Sequence, residues 1–296
     1  MDGLGIGKRD GSNPLHFGDY PGLRRLAGGV SPAGLEPGGV ARSDEACLVA
    51  VDATFGVPGL PQSASGQTAL LSGEKAPLIV GRHVNAFPTR ALRTILAERN
   101  ILKHFVDRGF RATFLNAYRR LDENGRPLGK RLSCTTVATM AAGVDFRTLD
   151  SLRQGTAVLH DITGENVKAQ GFDVPVRTPG EAARAAAGVI AANDLTLFEY
   201  FITDIAGHSG DAAKCAEALG RLDKFVSCLL DDLDPDDTLV VLSSDHGNIE
   251  DLTTRSHTRN PVPFAIWGGR PELRERMVSA TTDIAGVPLA IQDAVI

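Results

Sequence analysis

The sequence predicts an α/β fold: a doubly wound, mostly parallel sheet with a small inserted α/β cap. Three observations carry that expectation. Short apolar runs at 46–51, 195–203, 238–242 and 263–267 alternate with helical patterns, as in sheets with helices on their faces. Acidic residues and histidines follow these runs, and open α/β sheets gather their chemistry at the carboxyl ends of strands. Finally, 32 glycines among 296 residues exceed the ordinary share and supply many tight turns. The core is expected in two parts, residues 1–76 and 180–296, with residues 77–179 as the inserted cap that sets substrate specificity.

In chain order, a glycine-rich opening leads to a short helix at 20–26, its start marked by Pro21. Residues 46–51 read as a buried strand stopping at Asp52. A loop of small and polar residues at 59–66 then runs into a short helix at 67–73, closed by Gly73. Beyond residue 77 the texture changes, with helical patterns at 90–98 and 102–107, a strand at 112–117 and a polar hinge at 122–127. The alanine-rich stretch 181–192 has strong helix propensity, whereas 195–203 is aromatic and β-branched, a strand running into Asp204. A helix at 211–230 and two apolar strands at 238–242 and 263–267 complete the chain.

Composition excludes several function classes. Apolar residues make up 43% and charged residues 23%, enough to bury a core and too balanced for disorder. Lysine and arginine number 31 against 36 acidic residues, a net charge of −5, and no dense basic run is present, so nucleic acid is not expected as a partner. No apolar stretch approaches the ~20 residues of a membrane span, and the first ten residues lack a signal peptide's apolar centre. A cytoplasmic protein with no membrane partner is expected. Cys47, Cys134, Cys215 and Cys228 form no CxxC pair and read as buried thiols in a reducing compartment.

The chemistry concentrates late in the chain. One strand delivers Asp204-Ile205-Ala206-Gly207-His208, the next Ser244-Asp245-His246-Gly247-Asn248, and the following loop holds His257. Mixed carboxylate and imidazole donors suit Zn²⁺ or Mn²⁺ rather than Ca²⁺. Five such ligands exceed what one ion with an open position can use. Two metals could share them, clamping the attacking and leaving oxygens of a phosphoryl group.

Asp245-His246-Gly247-Asn248, together with His257-Thr258-Arg259-Asn260-Pro261-Val262-Pro263, resembles the DHGN…HTxNPVP signature of the alkaline phosphatase superfamily, in particular its branch of cofactor-independent phosphoglycerate mutase and phosphopentomutase. Asp2-Gly3-Leu4-Gly5-Ile6-Gly7 is similar to that branch's first metal-binding turn, and Asp204 with His208 to its D-x-x-G-H element. Residues 61–67 stand in the place of its nucleophile loop. The resemblance implies an alkaline phosphatase-like core with two divalent ions. One would be held by Asp204, His208 and His257, the second by Asp2, Asp245, His246 and Ser63. It also implies Ser63 as nucleophile of a phosphoserine intermediate, with Ser65 competing for the role, and helix amides from residue 66 onward facing the phosphate. A small phosphorylated metabolite is the expected substrate of a phosphatase or phosphomutase. His83, Asn116, Arg119, Arg82 and Arg259 are candidates to bind it, while His16, His104 and His160 read as structural. A catalytically silent metal-stabilised binding protein is one alternative. The other is a phosphodiesterase or nucleotide pyrophosphatase, which would need an aromatic slot for a base.

Two departures stand out. The resemblance covers residues 1–73 and about 195–268 but not the inserted segment. Only Met1 precedes Asp2 where the family runs an apolar strand, so a loosely held Asp2 is expected.

Overall fold

Alternating apolar residues build the central strands, and their two faces meet different helices. The computed structural model, which describes residues 1–129 and 131–295, contains β1 (Val40–Arg42), β2 (Ala46–Val51), β3 (Ala112–Phe114), β4 (Ala117–Tyr118), β5 (Arg147–Thr148), β6 (Leu195–Leu197), β7 (Val240–Ser243) and β8 (Val262–Trp267). Every residue of β2 and β8 is buried. Leu48, Ala265 and Trp267 face one apolar cluster, which includes Leu219, Leu222 and Phe225 of the helix Ala212–Asp232. Cys47, Val49, Val51, Phe264 and Ile266 face the other, with Leu92 and Leu96 of the helix Arg90–Glu98. This two-residue alternation places apolar packing on both faces of the sheet.

The expectation of a mostly parallel sheet is corrected by the pairing. The main sheet has the order β1-β2-β8-β7, and each of its three pairs is antiparallel. A parallel pair needs a crossover, usually helical, but residues 244–261 between β7 and β8 contain no helix, so β8 folds back beside β7 and slots next to β2. Two short pairs, β3 with β6 and β4 with β5, are parallel. Met1 and Asp2 join the separate sheets at their ends: the terminal amine donates to Ser243 O at 2.8 Å, and Asp2 N–H to Tyr200 O at 3.1 Å.

The run 195–203 is strand only over Leu195–Leu197. The chain then turns into the helix Ile202–Ser209, so Asp204 and His208 lie one helical turn apart rather than in a loop after a strand. The ring of His160 stacks on Phe201, the residue that starts this helix, at 4.5 Å between centroids.

Within residues 77–179, Leu92, Leu96, Ile101 and Phe105 pack in the same cluster as Val49 and Phe264. Ala117, Leu152, Ala157, Leu159, Val167 and Val174 make a smaller cluster of their own. A capping box between Thr178 and Glu181 opens the helix Pro179–Ile190 immediately after this segment.

Candidate metal centre

Four separate stretches of chain bring acidic and imidazole groups together. Asp2 enters from the N-terminal turn, Asp204 and His208 from the helix Ile202–Ser209, Asp245 and His246 from the turn after β7, and His257 from the loop before β8. They gather into two groups, Asp204–His208–His257 and Asp2–Asp245–His246, and in each the donor atoms lie within 4.8 Å of one another. The rings of His246 and His257 stack at 3.7 Å, so the groups sit side by side.

Close packing at glycines allows this convergence. A Cβ on Gly3 would stand 2.8 Å from Asp204 Cα, and one on Gly66 2.6 Å from the carbonyl oxygen of Asp245. Gly3, moreover, has φ +70°.

The donor chemistry fits divalent cations. His208 Nδ1 lies 2.7 Å from Arg255 O, and His257 Nδ1 2.8 Å from Pro61 O. A carbonyl only accepts, so each Nδ1 carries the proton and each Nε2 turns a lone pair inward. Those two Nε2 atoms face each other at 3.2 Å, each 3.4 Å from a carboxylate oxygen of Asp204. Lone pairs and anionic oxygens at such range repel unless a cation lies among them. In the second group, Asp2 Oδ1 and Asp245 Oδ2 are buried without a hydrogen-bond partner, while His246 Nε2 lies 3.2 and 3.6 Å from them.

Titration properties record the same crowding. Burial and the Asp2 charge push the Asp245 carboxyl up to about 7. Burial disfavours the His246 cation, but the charges of Asp245 and Asp2 outweigh it and lift the imidazole to about 9. Burial likewise opposes ionisation of Asp204, yet the hydrogen bond from Asn248 Nδ2 and the imidazoles around it pull it down to about 2.

Ser63 is buried and opens the helix Ser63–Ser72, with its hydroxyl 3.0 Å from His246 Nε2. Ser65 is committed elsewhere: its hydroxyl donates to Gln62 O and accepts from Val84 N–H. The helix starts at Ser63 rather than at residue 67, which sets the serine itself at the positive end of the helix dipole. The amide cradle expected from residue 66 onward is corrected, because Gly66 N–H is bonded to Gln62 O and Ser65 N–H to Val84 O. Asp2 is not loosely held. It is buried, Gln67 Nε2 donates to its Oδ2 at 3.1 Å, and its carbonyl accepts from the Thr203 hydroxyl at 2.5 Å.

The expected substrate-binding residues divide. Asn116 is corrected: Nδ2 donates to Glu199 O, and Oδ1 accepts from Glu199 N–H, so both ends of the amide hold backbone. Arg259 donates to Gly59 O at 2.6 and 3.0 Å, and half-buried His83 lies against the same glycine. This ledge adjoins His257, whose Nδ1 bonds Pro61 O. Arg119 donates to Gln170 and lies over the ring of Phe172; Arg82 is exposed. Trp267 is fully buried, so it offers no aromatic slot for a base.

Sequence reasoning missed Glu199, Thr135 and Glu250. The Thr135 hydroxyl donates to Glu199 Oε2 at 2.9 Å, and burial with the nearby Asp2 charge pushes the Glu199 carboxyl up to about 7. Its signal was a lone acid in an aromatic run; for Glu250 it was an acid two residues beyond Asn248.

Fold and centre together define an α/β protein with paired carboxylate–imidazole clusters. Residues 155–291 match the family model of the Metalloenzyme superfamily. A 2,3-bisphosphoglycerate-independent phosphoglycerate mutase of Methanopyrus kandleri is 41% identical over 76 residues, 25% of this chain and 18% of that one. One from Pyrococcus furiosus is 31% identical over 111 residues, 34% of this chain and 26% of that one. The matched stretches thus span about a quarter or less of those mutases. Among solved structures, the PH0037 protein from Pyrococcus horikoshii superposes with a TM-score of 0.55 at 17% identity, covering 99% of this chain and 94% of that one. A mutant of TAB5 alkaline phosphatase gives 0.52 at 11% identity, covering 100% and 99%. These likenesses show the fold. No described helix is long and apolar enough to cross a membrane.

Proposed function

We propose that this protein is a two-metal phosphoryl-transfer enzyme acting on a small phosphomonoester, as phosphatase or phosphomutase, with Ser63 as nucleophile. The observation that carries this reading is the Ser63 hydroxyl, 3.0 Å from His246 Nε2 beside the two clusters and at a helix N-terminus. Bound Mn²⁺ or Zn²⁺, held by Asp204, His208 and His257 and by Asp2, Asp245, His246 and Ser63, would neutralise phosphate oxygens and ease ionisation of the serine.

The chain's own groups do the rest. His246 and the first turn of the helix orient Oγ. Oγ forms a bond to phosphorus as the ester oxygen departs, leaving phosphoserine. Water, or a hydroxyl of the same metabolite, then bonds to phosphorus and expels Oγ. Arg259 and His83, on the ledge beside His257, are proposed to grip the substrate, with Arg82 and Arg119 at its edge. The part of the inserted segment that packs as its own cluster, between Ala117 and Val174, is proposed to close over it. The likeness to phosphoglycerate mutases favours a phosphorylated three-carbon acid as a first compound to try.

Turnover of an aryl phosphate, with phosphate release and isomerisation followed in parallel, tests the proposal. Ser63→Ala is expected to lower turnover at least about a thousandfold while metal content is kept. Full activity in that variant would place the nucleophile elsewhere.

A further inference from the structure

Glu250 is 1% exposed, has no cationic partner among the described residues, and accepts four hydrogen bonds from three different stretches of chain. Its Oε2 accepts from Gly5 N–H at 2.9 Å and Asn248 N–H at 2.7 Å. Its Oε1 accepts from the Thr258 hydroxyl and from Asn260 Nδ2 at 3.0 Å. Gly5 belongs to the turn that carries Asp2, Asn248 to the turn of Asp245 and His246, and Thr258 and Asn260 to the loop of His257. Asn248 extends the connection, since its Nδ2 donates to Asp204 Oδ1 at 2.7 Å.

The glycines of these turns make room for this carboxylate. A Cβ on Gly5 or on Gly247 would stand 2.2 Å from Glu250 Oε1, and one on Gly7 2.7 Å from its Cγ. The turn Asp2–Gly7 and the turn after β7 are therefore shaped around a side chain that belongs to neither donor cluster. A carboxylate has acceptors only, and four donors saturate it. No neutral isostere can do the same, because an amide would set its NH₂ against an N–H or hydroxyl donor.

We propose that Glu250 is a positioning residue that couples the two donor clusters: by tying their loops to one carboxylate, it makes the placement of each depend on the other. The inference rests on the reading that the clusters hold divalent ions. It goes beyond that reading in assigning their mutual geometry to a group that touches neither ion.

The test is calorimetric titration of the chelator-stripped full chain with Mn²⁺ alone, scored on protein whose near-ultraviolet circular dichroism matches the wild type. Glu250→Gln is expected to weaken binding at both clusters, about 10–100-fold each, as loss of groups that orient ligands does elsewhere. Thr258→Val, a milder change that keeps the carboxylate, is expected to weaken chiefly the cluster containing His257, by about tenfold. A role confined to stability would lower the melting temperature of the metal-free variants and leave both affinities at wild-type values, which overturns the coupling. If the wild-type chain takes up neither Mn²⁺ nor, in a parallel titration, Zn²⁺, the two-ion reading fails and this inference falls with it. Intact wild-type binding beside unchanged variants overturns the inference alone.

Discussion

At the scale of single residues, the Asp2–Asp245–His246 cluster is a site where protons and metal compete. Asp245 is raised to about 7 and His246 to about 9, chiefly because buried like charges and an imidazole share one small space. A metal ligand must be deprotonated, so occupation of this cluster releases protons. Affinity for Mn²⁺ should therefore rise with pH between about 6 and 9, by as much as roughly tenfold per unit for each proton displaced. Calorimetry in buffers of different ionisation enthalpy reads both the affinity and the protons released. A pH-independent affinity with no proton release would contradict the electrostatics of the pocket. The Asp204 cluster behaves differently. Asp204 is held down to about 2 by Asn248 and the imidazoles around it against the effect of burial, so this carboxylate is already ionised across the same range.

At the scale of elements, the helix Ser63–Ser72 delivers the hydroxyl, and its approach is set by Gly66. A methyl there would lie 2.6 Å from Asp245 O and 3.1 Å from Asp245 Cβ, with a backbone atom as the nearest obstacle. Gly66→Ala should cost about 1–3 kcal/mol of stability as an overpacked contact, and a displaced serine should lower turnover at least about tenfold. Urea midpoints and kcat on an aryl phosphate measure the two effects; wild-type values for both would mean the helix does not rest on Asp245. The elements themselves were largely legible. The run 46–51 and the pattern 90–98 coincide with β2 and with the helix Arg90–Glu98, because local apolar periodicity decides them. Pairing direction was not legible, since whether β8 returns beside β7 or crosses over depends on a helix-free connection and on partners about 200 residues away. The same distinction holds in the centre. Asp204, His208, Asp245, His246 and His257 stand in short motifs, whereas the roles of Asn116, Glu199 and Glu250 show only through contacts with other stretches of chain.

At the scale of the whole molecule, the centre is a store of unfavourable charge that folding must tolerate. In the metal-free protein three buried groups bind protons more tightly than their ordinary values of 3.8, 4.5 and 6.5: Asp245 and Glu199 at about 7, and His246 at about 9. Raised values mean that the folded state holds more protons than the unfolded chain. The stabilisation from each group is therefore complete below its unfolded value and is lost as pH climbs through the folded one. The acids lose theirs between about 4 and 7, and the imidazole between about 6.5 and 9. Asp204, lowered to about 2, acts with the opposite sign but only below about 4, outside this window. Chelator-treated protein should thus become steadily less stable from pH 5 to pH 9, even though most proteins are near their optimum across much of that range. Saturating Mn²⁺ should offset the decline, because metal takes the place of the departing protons and binds more tightly as they leave. Melting temperatures with and without chelator at pH 5, 7 and 9 measure this directly, with the gap between the two curves widening toward pH 9. A metal-free protein more stable at pH 9 than at pH 5 would show that these carboxylates and His246 do not share the buried pocket on which the proposed chemistry depends.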